Sequence, residues 1–75
     1  MYCYAYRPVG GGKTVYSRPM ERTAVLDAAE KISVGIPGKW ITVWVMIPGT
    51  RLPWVRESIL VKFKDGAMYP AQFSI

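Results

Sequence analysis

A chain of 75 residues with 51% hydrophobic and 13% aromatic side chains is the length of one domain and apolar enough to fold without a partner, which argues against a disordered tail. Ten Lys and Arg against five Asp and Glu give a formal charge of +5, a balance that attracts phosphate backbones and acidic protein faces and is also ordinary for a small domain. With no histidine and Cys3 as the one cysteine, an intrachain disulfide and a cysteine-based zinc site are excluded.

Taken in chain order, Tyr2, Tyr4 and Tyr6 alternate with Cys3, Ala5 and Arg7, the period-2 pattern of a two-faced strand. Pro8 and Gly10-Gly11-Gly12 end it, and Thr14-Val15-Tyr16-Ser17 resumes an extended run, so the pair reads as a hairpin. Near residues 21 to 34, Val25, Ala28, Ala29 and Ile32 recur at helical spacing and form one apolar stripe. Two alanines in that stripe would let the helix approach a sheet closely. Asp27 and Lys31 form an i, i+4 pair on its flank, Gly35 supplies a stop, and Pro37 lies just beyond.

Residues 39 to 47 are β-branched and aromatic, bounded by Gly38 and Pro48-Gly49, and carry the strongest strand signal in the chain. Ile41, Val43, Val45 and Ile47 should face the helix, with Trp40, Thr42, Trp44 and Met46 on the other side. A ten-residue loop, PGTRLPWVRE, is expected next, carrying Arg51, Trp54 and Arg56. Ile59, Val61 and Phe63 then alternate with Leu60, Lys62 and Lys64, and Asp65-Gly66 leads into Met68-Tyr69 and on to Phe73. Asp-Gly between extended runs is a hairpin signal, since a type I′ turn needs positive φ at both central residues. A two-residue turn there pairs Lys64 with Ala67, Phe63 with Met68 and Lys62 with Tyr69. Pro70 marks the last strand as an edge or a bulge.

The expected order is β-β-α-β-β-β in one domain: an α+β fold with a mainly antiparallel sheet of four or five strands and one helix on one face. No apolar run approaches the roughly 18 to 20 residues a membrane span needs, and MYCYAYRP lacks the charged and apolar regions of a secretory signal. A soluble cytoplasmic protein is the expectation.

One helix cannot cover both faces of such a sheet. The second face would mix Trp40, Trp44, Met46, Leu60 and Tyr69 with Lys62 and Lys64, a composition suited to protein anchoring or to base stacking beside phosphate contacts. The alternative is a second small core in which the long loop and Tyr2, Tyr4 and Tyr6 cover the tryptophans. Arg51, Trp54 and Arg56 in the loop form a further candidate, or else a solvated connection with Trp54 tucked beneath it.

Catalysis finds little support. Gly12-Lys13-Thr14 ends like a phosphate loop, but the Gly that motif requires five residues earlier is Arg7, and a strand follows where a helix is needed. Glu21, Asp27, Glu30, Glu57 and Asp65 are scattered, with no pair spaced as a dyad or metal cluster. Neither a catalytic residue, a metal ligand nor a cofactor is expected.

The helix Thr-Ala-Val-Leu-Asp-Ala-Ala-Glu-Lys, the strand around Thr42-Val43-Trp44-Val45-Met46 and the run from Leu60 to Gly66 ending near Tyr69 resemble small phage-encoded type I anti-CRISPR proteins. The resemblance covers residues 23 to 69. It implies a monomer in the host bacterial cytoplasm whose basic face docks on the Cas backbone subunits of the Cascade surveillance complex and blocks target DNA. Relatives that dock through the helix carry several cations on it, whereas this helix offers Arg22 and Lys31, so the expected contacts shift to Lys62, Lys64, Arg51, Arg56, Lys39 and the aromatics Trp40, Trp44, Trp54 and Tyr69. The competing expectation is weakly sequence-specific binding to nucleic acid, double-stranded DNA included, by the same face; inhibition of another host enzyme such as RNA polymerase is a third.

Overall fold

The computed structural model describes residues 1–72, in which one helix and five strands follow one another. In chain order these are β1 (Tyr2–Tyr6), β2 (Val15–Tyr16), α1 (Arg22–Gly35), β3 (Ile41–Pro48), β4 (Trp54–Lys64) and β5 (Ala67–Pro70). The strands make one antiparallel sheet in the spatial order β2-β1-β3-β4-β5, with α1 lying across β1, β3 and β4. The expected class and element order are present. The expected continuation of the last strand to Phe73 falls outside the described residues.

Helix α1 begins at Val25 N–H to Glu21 O, 2.9 Å, without a side-chain cap, and ends where Pro37 forces Ile36 out of helical geometry. Its fully buried residues are Val25, Ala29 and Ser33, one every fourth position, while Ala28 and Ile32 of the expected stripe lie half-buried at its edge. Small side chains at two of the three positions bring the helix close to Ile41, Val43 and Phe63, which complete the core. Tyr2, Tyr4 and Tyr6 pack on this same side, because Tyr4 pairs with Val43 and Tyr6 with Ile41. They therefore do not cover the tryptophans, and that version of a second core is ruled out by strand register.

Ser33 is the polar member of the buried stripe, and its hydroxyl is used twice. It donates to Glu30 O at 2.7 Å and accepts from Gly66 N–H at 2.9 Å. Asp65 and Gly66 have φ of 54° and 82°, the left-handed pair of the expected turn, and the β4–β5 register is Lys64 with Ala67, Phe63 with Met68 and Lys62 with Tyr69. Asp65 Oδ1 accepts from Gly38 N–H at 2.8 Å, so the turn is tied to the helix and to the segment after it. The Asp27–Lys31 pair forms at 3.0 Å on the exposed flank.

Two expectations about the centre of the chain need correction. The ten-residue loop is shorter: β4 already starts at Trp54, with Pro48 paired to Trp54 and Met46 to Arg56, so Trp54 and Arg56 are strand residues. The turn closes at Gly49, where any side chain would run into Val55 Cγ2 and Leu52 O. Strict alternation along β4 also fails, because register shifts occur between Val43 and Trp44 and between Val45 and Met46. Leu60 and Val61 together oppose Val43 and both pack against the helix-side core, and Ile59 moves to Trp44 on the opposite side.

Ser33→Ala leaves Gly66 N–H without its acceptor at a partly buried position, and should lower unfolding free energy by about 0.5–1.5 kcal/mol. Urea denaturation followed by tryptophan fluorescence measures this; an unchanged midpoint would show that the turn is not held by the serine.

Candidate functional site

The face of the sheet turned away from α1 is built from one row across all five strands. Tyr16 pairs with Ala5, Ala5 with Thr42, Thr42 with Lys62, and Lys62 with Tyr69. Aromatic residues thus stand at both ends of the row and small ones in the middle. Along β3, Trp44 lies two residues after Thr42 and so on the same side, and Trp40 stands just before the strand.

Beyond Thr42 the floor becomes a small second core. Cys3 is 1% exposed and Met46 9%, with Cys3 Sγ 3.4 Å from Met46 Sδ. Arg56, paired with Met46, extends its guanidinium to 4.0 Å from the Tyr16 ring centroid and 6.0 Å from that of Trp44. Burial pushes the Cys3 thiol above its ordinary pKa, and the nearby Arg56 charge opposes that rise. The small buried cluster here is thus Cys3 with Met46, not the expected loop and tyrosines over the tryptophans.

On the other half of the face, Lys64 Nζ lies 5.1 Å and Lys62 Nζ 5.9 Å from the Trp40 ring centroid. Tyr69 meets Trp40 edge to face at 5.2 Å. Cations and rings therefore lie side by side from Tyr16 through Arg56 and Trp44 to Trp40, the two lysines and Tyr69. Between the halves lies a recess of about 220 Å³ lined by Ala5, Thr14, Tyr16, Trp40, Thr42 and Trp44, with Arg7 at its border.

Of the residues expected to bind a partner, Trp40, Trp44, Arg56, Lys62, Lys64 and Tyr69 come together here. Trp54 lies two residues before Arg56 on the same side of β4, at the far end, and Arg51 sits exposed in the turn beyond it. Lys39 is half-buried next to Trp40, whereas Arg22 and Lys31 are exposed on α1, across the sheet from this face. Tyr16 and Arg7 were not singled out from the sequence. Tyr16 lies in a two-residue strand whose register depends on Ser17, which exchanges hydrogen bonds with Tyr4 through its N–H and its Oγ, both at 2.9 Å.

Charge is segregated in the same sense. The segment from Glu21 to Gly35 carries Glu21, Asp27 and Glu30 against Arg22 and Lys31, which leaves eight of the ten cations and two carboxylates for the rest of the chain. Of those two, Asp65 is engaged by Gly38 N–H and Glu57 lies at the second register shift of β4. Among the described residues no group of three His, Cys, Asp or Glu side chains could hold a metal ion, and no helix is long and apolar enough to cross a membrane.

Because the Cys3 thiol is buried and its pKa raised, a thiol reagent such as Ellman's reagent at pH 8 should react with it many times more slowly in the folded protein than in urea. The neutral thiol is the form the fold prefers, so the stability it contributes is full below the ordinary thiol pKa and is lost as pH rises through the raised one. Comparison with protein-family models, with curated proteins and with solved structures finds no match for this chain.

Proposed function

We propose that this is a non-enzymatic binding protein whose helix-free sheet face takes up nucleic acid, with bases stacking on the aromatic rings and cations meeting the phosphates. The observation that carries the reading is the interleaving of Tyr16, Trp44, Trp40 and Tyr69 with Arg56, Lys62 and Lys64 on one surface. A cation over an exposed ring is held by about 0.5–1 kcal/mol, so Arg56, which lies over the exposed ring of Tyr16, can turn to a phosphate at small cost. Base–aromatic stacking is worth about 1–3 kcal/mol per base and tolerates any sequence, since every base has a π-face. In this mechanism no bond is made or broken.

A second reading draws on a separate feature. Beyond the helix, the β3–β4 hairpin exposes Ile47, Leu52 and Val55 beside Arg51. Such an apolar surface suits a protein groove. It suits the expected inhibitor of a Cascade-type surveillance complex: the hairpin anchors on a Cas subunit and the basic face takes the place of target DNA. Mixing the protein with guide-loaded type I Cascade and running gel filtration tests this. Co-elution with loss of target binding supports it, and separate elution across subtypes overturns it.

For the first reading, Lys62→Glu combined with Lys64→Glu should weaken binding to a single-stranded oligonucleotide at least tenfold. The slope of log affinity against log salt should become shallower by about 1.4, two phosphate contacts at roughly 0.7 each. Fluorescence anisotropy across a salt series, with thermal melting to check the fold, reads both quantities. Unchanged affinity in a folded double variant would remove these lysines from the site.

A further inference from the structure

Resting on the nucleic-acid reading above, we propose that the recess between Tyr16, Trp40 and Trp44 is a subsite for one unpaired nucleobase, which makes the face selective for single strands over duplexes. Its shape follows from the cross-strand row. Ala5 and Thr42 are directly paired and small, so two adjacent strands present almost no side chain there, while Tyr16 stands on one flank and Lys62 on the other. Along β3 the opening is framed by Trp40 and Trp44, four residues or roughly 13 Å apart at the rise of an antiparallel strand. The volume, about 220 Å³, is below the roughly 300 Å³ at which drug-sized ligand sites begin. It accommodates one planar ring system.

The chemistry of the lining is that of a base site with little discrimination. Three aromatic residues offer stacking surfaces, and the hydroxyls of Thr14 and Thr42 each donate and accept, so the hydrogen-bonding edge of any base finds a partner. Arg7 at the border is exposed and supplies a guanidinium for the phosphate of the inserted nucleotide. A base in a duplex is stacked and paired, and extruding it costs a few kcal/mol. An unpaired base avoids that cost.

The test uses three probes of equal length at one salt concentration: oligo-dT, an abasic deoxyribose-phosphate oligomer, and a mixed-sequence duplex, each titrated against tryptophan fluorescence. Oligo-dT should bind at least about 5-fold more tightly than the abasic oligomer, because bases stack on the face as a whole, and more tightly than the duplex. Thr42→Ile, which fills the floor with a β-branched residue suited to a strand, should cut the advantage of oligo-dT over the abasic oligomer by about 5- to 150-fold, the range that stacking of one base supplies. An advantage left unchanged by Thr42→Ile in a folded variant would overturn the base subsite while leaving stacking and phosphate binding by the rest of the face intact. No binding of any of the three would overturn both.

Discussion

The close approach of α1 to the centre of the sheet is the constraint on which the other features depend. Val25, Ala29 and Ser33 sit directly on Ile41, Val43 and Phe63, and each of the large apolar side chains among them contributes about 1.5–3 kcal/mol by leaving water. For so short a chain that contact is the main source of stability, and it can be made on one face only. The polar residue in the stripe is tolerated because Ser33 uses its buried hydroxyl to hold the β4–β5 turn through Gly66. The same contact that seats the helix therefore sets the position of the hairpin carrying Lys62, Lys64 and Tyr69.

The opposite face is shaped by what the helix leaves uncovered. Its middle is occupied by Cys3, Ala5 and Thr42, and Met46 is the buried one among the larger described residues there. Rings and cations stand around this low centre. The contacts between them, 4.0 Å for Arg56 over Tyr16 and 5.1 Å for Lys64 over Trp40, keep the rings oriented without sealing the surface as a dry core would. The helix segment is slightly acidic, and Arg56, Lys62 and Lys64 stand on the face across the sheet from it. Such an asymmetry orients a small protein during encounter with a polyanion, an effect that fades as salt screens it.

The two bulges of β4 link fold and site. Without them Leu60 would share a side with Lys62 and Ile59 would join the core; with them Leu60 packs under the helix and Ile59 lies beside Trp44. The second register shift sets Arg56 opposite Met46, from where its side chain reaches Tyr16. The shifts also disrupt the long β4 edge beyond its pairing with β5, a means by which exposed edges avoid adding further strands.

Local sequence determined the features whose causes are local. Asp65-Gly66 specified the turn and through it the pairing of Lys64, Phe63 and Lys62, because few residue pairs accept two positive φ angles. The apolar stripe and Pro37 specified the helix, and β-branched alternation specified that Ile41 and Val43 face it while Thr42 and Trp44 do not. Of the aromatics and cations of the central face, Trp40, Trp44, Lys62, Lys64 and Tyr69 were legible in that way, whereas Tyr16 was not and Arg56 read as part of a loop. Tertiary structure decided the rest. A period of two is a property of one strand, whereas a bulge depends on the strand beside it; hence Trp54 and Arg56 read as loop although they are strand, and Leu60 and Ile59 fell on the wrong sides. The recess likewise has no local signature, since it arises where Ala5, Thr42 and Tyr16, far apart in the chain, are brought side by side by the pairing of three strands.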